Sequence, residues 1–432
     1  MTGPGHTSPA VALCVVVALL GLRPAGQEAA GWQANPQLVD QETVRQKGVN
    51  YTESRVGTLE LPDPLAGARG RVRDSAGWAP RRAEILELFR EHVYGRSPGK
   101  PDQLTFEEVE RNDRAMDGAA TLQRVAIISS RQGRTHRFQL TLFLPPPSRS
   151  ASTGGRVPVL LLLNNRPPAN ADPSRKEKSG FWPAEQVIAR GFGIAALQVA
   201  ELAPDNNETF RQGVIQTFEG TADGPRPPDA WGGLAAWAWG ASRAMDYFET
   251  NAGVDAGRVA VVGHSRGGKA ALWAGAEDQR FAMVVSNESG ESGAALSRRN
   301  YGETIARITT AFPYWFAANY RSFAGRESSL PVDQHMLLSL IAPRALYVAS
   351  ADEDLWSDPR GEFMALAHAS PVFGLWGDPA IAAGAMPPLE QPVRSGRRGY
   401  HIRRGPHNLT PYDWDRFADF ANAVWAPAAP GR

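Results

Sequence analysis

The chain has 432 residues and a nearly balanced charge, with 46 Lys and Arg against 45 Asp and Glu and a formal net charge of +1 at pH 7. A balance of this kind, without long basic or acidic runs, argues against nucleic acid and anionic membrane surfaces as partners. The single cysteine, Cys14, excludes disulfide and zinc frameworks. A neutral small or polymeric molecule is therefore the expected partner.

The first 26 residues are predicted to be a signal peptide. Residues 9–22 are apolar but too few to span a bilayer, and small residues follow at positions 25–30. The segment before them is atypical because it contains no Lys or Arg. We expect a secreted or periplasmic protein that loses Cys14 with its leader.

Residues 27–80 are rich in Gly, Pro and polar residues and are predicted to wrap the core as irregular structure. Together with residues 81–432 they are expected to form one catalytic domain. Within residues 81–94, the side chains of Ile85, Leu88, Phe89 and Val93 share one helical face, and Gly95 follows, which predicts an amphipathic helix that lies on a sheet.

The remainder of the chain alternates predicted strands with helices. Residues 121–130 and 137–144 indicate an antiparallel hairpin at a sheet edge, and residues 233–249 and 269–276 indicate helices. Continuous apolar runs typical of strands covered on both faces occupy residues 157–163 and 192–199, and residues 258–262 indicate a buried parallel strand. Further strands are predicted at residues 281–286, 345–350 and 400–403. This pattern predicts an α/β fold with a doubly wound, mostly parallel sheet and ligands at the carboxyl ends of the strands. Long loops are expected at 164–183, 203–231 and 370–397, and the first two follow strands directly and so can border the site.

The run Gly263-His-Ser-Arg-Gly267 lies between a predicted strand and an Ala-rich helix. This is the context of a nucleophile elbow, in which a sharp turn exposes a serine hydroxyl and glycines let the backbones approach. Ser265 is therefore the candidate nucleophile. The same run matches a phosphate-binding loop up to its last position, where Ala270 has no oxygen to hold magnesium.

A serine nucleophile needs an imidazole to accept its proton. His407 follows the last predicted strand, where the histidine of such a triad is usually found. His264 adjoins the serine but should point elsewhere, while His335 and His368 lie on predicted helices and suit packing or surface roles.

Two strand ends offer the acidic partner. Glu288 follows the strand next after the elbow, and Asp354 follows the strand at which hydrolases of this type commonly place the acid. Both can lie near His407, and one of the two can instead be a loop carboxylate that caps a turn. The residues alone leave the choice open.

Two cations follow the nucleophile. The backbone N–H of Arg266 is the expected half of an oxyanion hole, and its guanidinium can reach the same oxygen. Lys269 lies one helical turn beyond Ser265, so spacing fits either a residue near the reaction centre or an ordinary solvated lysine.

Several segments in chain order resemble the glucuronoyl esterases of carbohydrate esterase family 15. The resemblance covers roughly residues 50–425, and its motifs are residues 82–95, 231–239, 263–269, 287–290, 301–304, 354–359 and 405–407. It implies an α/β-hydrolase fold, a three-layer sandwich with long loops around the active site. It also implies a serine esterase that needs no metal or cofactor and cleaves the ester between (4-O-methyl)glucuronic acid of xylan and lignin alcohols.

The resemblance also assigns roles to residues. Ser265 would be the nucleophile, His407 the base and Arg266 the oxyanion ligand. Glu288 stands at the family's acid position, so we expect it to dominate, while some bacterial members also keep an aspartate where Asp354 stands.

Lys269 and Glu303 match positions that hydrogen bond the sugar ring hydroxyls, and Trp356 matches one that packs on the sugar. Fungal members have a cysteine before the serine where this chain has His264, which resembles the bacterial branch. We expect a monomer that acts on glucuronoxylan or a lignin–carbohydrate ester. The alternatives are an acetyl or feruloyl esterase on the same fold and a catalytically silent carbohydrate-binding homologue.

Overall fold

The computed structural model describes residues 1–3, 31–146, 155–221 and 224–426. The chain divides into two units, Met1–Ala30 and Gly31–Arg432, and the helices and strands of the described residues belong to the second. The predicted leader, apart from residues 1–3, lies outside the described residues, as does Cys14. Within the part of the chain that is described, none of the helices combines the length and apolarity required to cross a membrane.

The main sheet has ten strands. In chain order they are β1 Gln103–Ala115, β2 Ala120–Arg131, β3 Arg134–Leu144, β4 Val157–Asn164, β5 Gly193–Gln198, β6 Val254–His264, β7 Met283–Asn287, β8 Ala345–Ala351, β9 Val393–Ser395 and β10 Arg398–Arg403. Two short strands, Ala66–Gly67 and Gly70–Arg71, form a separate antiparallel ribbon.

Across the sheet the order is β9-β10-β8-β7-β6-β4-β5-β3-β2-β1. Strands β10, β8, β7, β6, β4 and β5 run parallel to one another. The antiparallel strands β1 to β3 extend one edge, and β9 pairs antiparallel with β10 at the other. The predicted α/β fold with a mostly parallel sheet is confirmed.

Helices cover both faces of this sheet. They are α1 Pro36–Arg45, α2 Trp78–Phe89, α3 Ala184–Ala189, α4 Val199–Leu202, α5 Val214–Glu219, α6 Gly233–Thr250, α7 Arg266–Glu277, α8 Ile305–Ala311, α9 Gln334–Ser339, α10 Pro359–His368, α11 Ser370–Phe373 and α12 Pro411–Trp425. A π-helical turn, Arg90–Tyr94, extends α2, and Gly95 ends it with a φ of 87°.

The core explains why the central strands are apolar throughout. Alternate residues of β4 face opposite sides, so that Leu161 and Leu163 join one apolar cluster while Leu160 and Leu162 join the other. The first cluster includes Trp237 of α6 and Trp273 of α7, and the second includes Trp414 of α12. Both faces of the sheet are therefore buried, as continuous apolar runs predict.

Several elements differ from the sequence prediction. Helices α5 and α11 and strand β9 lie in segments 203–231 and 370–397, which were expected to be loops, and the remaining differences are β1 and the N-terminal elements within residues 27–80. Strand β1 was not expected, because most of its residues are exposed, its second half is largely charged, and apolar alternation is limited to Leu104 and Phe106. Residues 27–80 were expected to be irregular, yet the described part contains α1, which Asn35 caps by accepting a hydrogen bond from the Gln37 N–H at 2.9 Å. Pro36 starts this helix, and a cap with a following proline was the signal available.

The β6–α7 junction leaves no room for a side chain. A β-carbon at Gly263 would overlap the carbonyl oxygen of Gly267, and one at Gly268 would lie 2.9 Å from the Ser289 β-carbon. Glycines here let the strand, the helix and the loop after β7 meet closely.

We expect Gly263→Ala to lower the free energy of unfolding by about 3 kcal/mol, because the added methyl group forces the helix away from the strand. Gly257→Ala is the matched control on the same strand. A β-carbon there lies 3.4 Å from the Asp255 Oδ1, so its effect should stay within about 0.5 kcal/mol. Urea denaturation measures both, and equal losses would contradict the close-packing account.

Candidate active site

Four neighbouring parallel strands end at the same edge of the sheet and carry the four predicted triad candidates. Ser265 follows β6, Glu288 follows β7, Asp354 follows β8 and His407 follows β10. Neighbouring parallel strands bring their carboxyl ends together, so residues far apart in the chain meet here. All four line one cavity.

Ser265 has the strained backbone of a nucleophile elbow, with φ 56° and ψ −127°. Its N–H donates to the Asn287 carbonyl oxygen at 2.9 Å, which ties the elbow to the next strand end. Arg266 is the first residue of α7, so its N–H has no acceptor within the helix. The phosphate-loop alternative gains no support, since Ala270 is buried in the helix.

His407 faces both candidate acids. Its Nδ1 lies 2.6 Å from the Asp354 Oδ2 and 3.3 Å from the Glu288 Oε2. The distances favour Asp354 as the nearer partner, against the expectation that Glu288 dominates. Both carboxylates are positioned to orient the imidazole and to stabilise its charged form.

Glu288 is buried and has two further hydrogen-bond partners, Arg403 and Asn408, which the sequence patterns did not reveal. Its Oε1 accepts a hydrogen bond from the Arg403 Nη2 at 2.6 Å, and its Oε2 accepts one from the Asn408 N–H at 2.9 Å. Arg403 also donates from Nε to the Asp413 Oδ2 at 3.0 Å. Arg403 is the last residue of β10, where no local motif distinguishes it from a surface arginine.

The two carboxylates change the protonation of the base. Burial alone disfavours the imidazolium, but the charge and hydrogen bond of Asp354, together with Glu288, raise the pKa of His407 to about 10. Burial also raises the pKa of Glu288 to about 7, against the lowering effects of His407 and Arg403. Perturbed groups that face one cavity are typical of a catalytic site.

His264 is buried beside the base rather than turned away from it. Its ring centroid lies 4.4 Å from that of His407, and its Nδ1 lies 2.6 Å from the Asn287 Oδ1. Its Nε2 lies 3.4 Å from the Arg166 Nη2. Burial, reinforced by the charge of His407, lowers the pKa of His264 well below its ordinary value, so a neutral ring packs against the base.

Arg266 lines the cavity and lies over aromatic rings. Its guanidinium carbon is 4.8 Å from the Trp315 ring centroid and 5.4 Å from that of Phe312. Its Nη1 donates to the Asp205 Oδ2 at 2.5 Å. None of these three partners was identified from the sequence, because they follow no motif near the elbow.

Lys269 is buried, so it is not an ordinary solvated lysine. Its Nζ donates to the Ser289 carbonyl oxygen and lies 3.6 Å from the Glu303 Oε2. The Trp356 side chain also hydrogen bonds Glu303, and burial raises the pKa of that carboxyl. The structure thus brings the three predicted sugar contacts together in one wall of the cavity.

The cavity has a volume of 880 Å³. Its lining comprises the predicted site residues together with Arg45, Gln46, Ser289, Ala306, Arg307, Thr310, Ala311, Phe312, Trp315 and Ser357. Neither the segment 164–183 nor the segment 203–231 contributes a residue to this lining, although both were expected to border the site. Helices α1 and α8 contribute instead, and no sequence motif indicated that either helix reaches the site.

The ligand atoms of Glu288, Asp354 and His407 lie within 4.8 Å of one another, the kind of spacing that a metal ion needs. However, the His407 Nδ1 already faces Asp354, and Arg403 and Asn408 occupy both oxygens of Glu288. This hydrogen bonding suits an acid–base group better than a metal site. The expectation that no metal is needed stays a prediction.

Comparisons with known proteins find glucuronoyl esterases and a related carbohydrate esterase. A family model described as glucuronyl esterase, fungi, matches residues 192–377. The carbohydrate esterase MZ0003, from an unknown prokaryotic organism, is 38% identical over 422 residues, which cover 90% of this chain and 94% of that protein. A solved glucuronoyl esterase from Solibacter usitatus is similar with a TM-score of 0.79 and 41% identity, covering 87% of this chain and 100% of the other. The 4-O-methyl-glucuronoyl methylesterase of Podospora anserina is 29% identical over 321 residues, 71% of this chain and 58% of its own length.

The similarity covers 90% of this chain for MZ0003 and 87% for the Solibacter usitatus enzyme. It agrees with the resemblance found in the sequence motifs and with the α/β-hydrolase architecture of the sheet. The chain therefore belongs to the glucuronoyl esterases of carbohydrate esterase family 15, a family of carboxylic ester hydrolases.

Proposed function

We propose that this protein hydrolyses the ester between glucuronic acid, or its 4-O-methyl form, and an alcohol of lignin. The observation that carries the proposal is one cavity in which a serine–histidine–carboxylate group lies beside a buried lysine and glutamate. Relatives named 4-O-methyl-glucuronoyl methylesterase support the choice of acid component. The substrate is then glucuronoxylan or a lignin–carbohydrate ester, bound by a monomer.

Catalysis begins at Ser265. Its Oγ transfers a proton to the His407 Nε2 and attacks the ester carbonyl carbon, forming a tetrahedral oxyanion. The Arg266 backbone N–H and guanidinium stabilise this negative charge. His407 then protonates the leaving alcohol, and water repeats the sequence on the acyl-enzyme to release the uronic acid and regenerate Ser265.

Asp354 and Glu288 share the role of the triad acid. Asp354 has the shorter contact with the His407 Nδ1, 2.6 Å against 3.3 Å for Glu288, and takes the larger share. The Arg403 guanidinium balances part of the Glu288 charge. Because Glu288 also accepts a hydrogen bond from the Asn408 N–H, it fixes the loop that carries His407 as well as the His407 ring.

Recognition of the sugar uses the cavity wall that Lys269, Glu303 and Trp356 form beside the triad. Lys269 and Glu303 present a donor and an acceptor that can hydrogen bond ring hydroxyls, and Trp356 offers an apolar face to the ring. An acetyl or feruloyl ester has no sugar on its acid side and gains nothing from these groups.

We expect the wild-type enzyme to hydrolyse benzyl glucuronate with a much higher kcat/KM than p-nitrophenyl acetate. Ser265→Ala should lose roughly 10⁴-fold or more in kcat on both esters, because nucleophile and base act as a unit. Alcohol release followed by chromatography measures the first substrate, and absorbance measures the second. A preference for the acetate would favour the alternative esterase, and xylan binding without turnover would favour a silent binding protein.

Substitution of either Glu288 or Asp354 alone should leave measurable activity, whereas substitution of both should abolish most of it. We expect Glu288→Gln and Asp354→Asn each to lose no more than about 10-fold in kcat, with Asp354→Asn the more severe. The double variant should lose about 10⁴-fold, far more than the roughly 100-fold that two independent losses would give. Thermal unfolding of each variant separates lost stability from lost chemistry. A lower unfolding temperature is expected for Glu288→Gln, because Arg403 loses one of its two charge partners and keeps Asp413. Additive losses would refute the shared role.

The raised pKa of His407 predicts a pH profile. Since only neutral His407 accepts the serine proton, kcat/KM should rise with pH well into the alkaline range. Asp354→Asn removes a charge that stabilises the imidazolium, so the pKa falls and the rising limb should move to lower pH by about one unit or more. Asp352→Asn is the control on the same loop, because Asp352 bonds the Gly405 N–H at 2.8 Å rather than the imidazole. An unshifted limb in Asp354→Asn would contradict the assignment.

A further inference from the structure

Asp205 accepts three hydrogen bonds beside the active-site cavity. It lies after α4 in the loop 203–231 that precedes α6. Its Oδ2 accepts from the Arg266 Nη1 at 2.5 Å, and its Oδ1 accepts from the Tyr314 OH and the Trp315 Nε1, both at 2.7 Å. A carboxylate with donors on both oxygens has little freedom to move.

The rings of Phe312 and Trp315 lie against the Arg266 guanidinium. Phe312 and Trp315 stack with ring centroids 3.8 Å apart and an interplanar angle of 4°, and the Arg266 guanidinium lies over both. Trp315 therefore contacts Arg266 through its ring face and Asp205 through its indole N–H. The carboxylate, the guanidinium and the indole form a closed set of mutual contacts.

This set limits an otherwise flexible side chain. A free arginine samples many rotamers, and an oxyanion ligand is effective only when it is positioned before the charge develops. Among the described residues, Asp205 is the acceptor that the structure gives the Arg266 side chain. The hydrogen bond from the Arg266 Nη1 to Asp205 thus fixes the plane of the guanidinium, and the Arg266 Nη2 can donate to a substrate oxygen.

We propose that Asp205 is a positioning residue for the oxyanion arginine, acting on the reaction through Arg266 and not by contact with substrate. This inference rests on the proposed function, in which Arg266 stabilises the tetrahedral intermediate. Part of the positive charge of Arg266 is offset by the carboxylate, so the gain comes from fixed geometry. Loss of Asp205 should therefore reduce kcat and leave KM nearly unchanged.

The test is a double-mutant cycle with benzyl glucuronate as substrate. We expect Asp205→Ala to reduce kcat between about 10- and 100-fold, because a misplaced catalytic group costs this much. Asp205→Asn should give a smaller loss, since one acceptor oxygen remains. In the Arg266→Ala background the same Asp205→Ala change should have no further effect on kcat.

Asp378→Ala is the matched control, because Asp378 pairs with Arg397 at 3.0 Å and is not among the residues that line the cavity. It should lower the unfolding temperature without changing kcat. If Asp205→Ala does not fold, the Asp205→Asn variant carries the cycle.

An equal loss of kcat with and without Arg266, or a loss confined to KM, would overturn the proposal and leave Asp205 as a structural ligand of Tyr314 and Trp315. If the wild-type enzyme leaves benzyl glucuronate intact, the proposed function fails. The cycle is then measured with p-nitrophenyl acetate or by the rate at which a fluorophosphonate labels Ser265, since both reactions develop negative charge at the same position.

Discussion

A buried guanidinium, that of Arg403, allows two carboxylates to face one imidazole. Glu288 is fully enclosed, and a second acid, Asp413, is equally buried on the other side of the arginine. Burying unpaired charges of this kind is costly, and a guanidinium that donates to both carboxylates, from Nε to Asp413 and from Nη2 to Glu288, offsets the cost. Because Arg403 also donates to the carbonyl oxygens of Pro406 and Asn408, the same cation shapes the loop that presents His407.

Another buried acid, Glu362, supports the loop after β7 that lines the cavity. Glu362 accepts hydrogen bonds from the Ser289 and Gly290 N–H groups at 2.8 and 3.0 Å, directly after the acid Glu288. Burial raises the pKa of Glu362 to about 8. The loop after β7, which also supplies the carbonyl oxygen that Lys269 binds, is thus held by a side chain beneath it and does not depend on substrate for its shape.

The sequence predicted those features that a local pattern encodes. The elbow at Ser265, the strands that end at Glu288 and Asp354, and the histidine loop each combine a strand with a turn, so spacing alone located them. The partners Asp205, Arg403 and Trp315 could not be found in this way. Each acts through a contact between segments distant in the chain, and an isolated aspartate or arginine has no periodicity that reveals its partner. Strand β1 was missed for another reason, since most of this exposed edge strand carries charge and its apolar alternation is limited to Leu104 and Phe106.

The walls of the cavity come from both ends of the described chain. Arg45 and Gln46 form one side, His407 forms another, and the segment after α1 is joined to the site loops by hydrogen bonds from Gly302 N–H to the Asn50 carbonyl oxygen and from the Arg307 Nη2 to the Lys47 carbonyl oxygen. Contacts between such remote segments form slowly, because the intervening chain must first be ordered. During synthesis Ser265 emerges long before His407, and Arg45 and Gln46 emerge before both. An incomplete chain therefore has no assembled site, and esterase activity appears only with the finished fold.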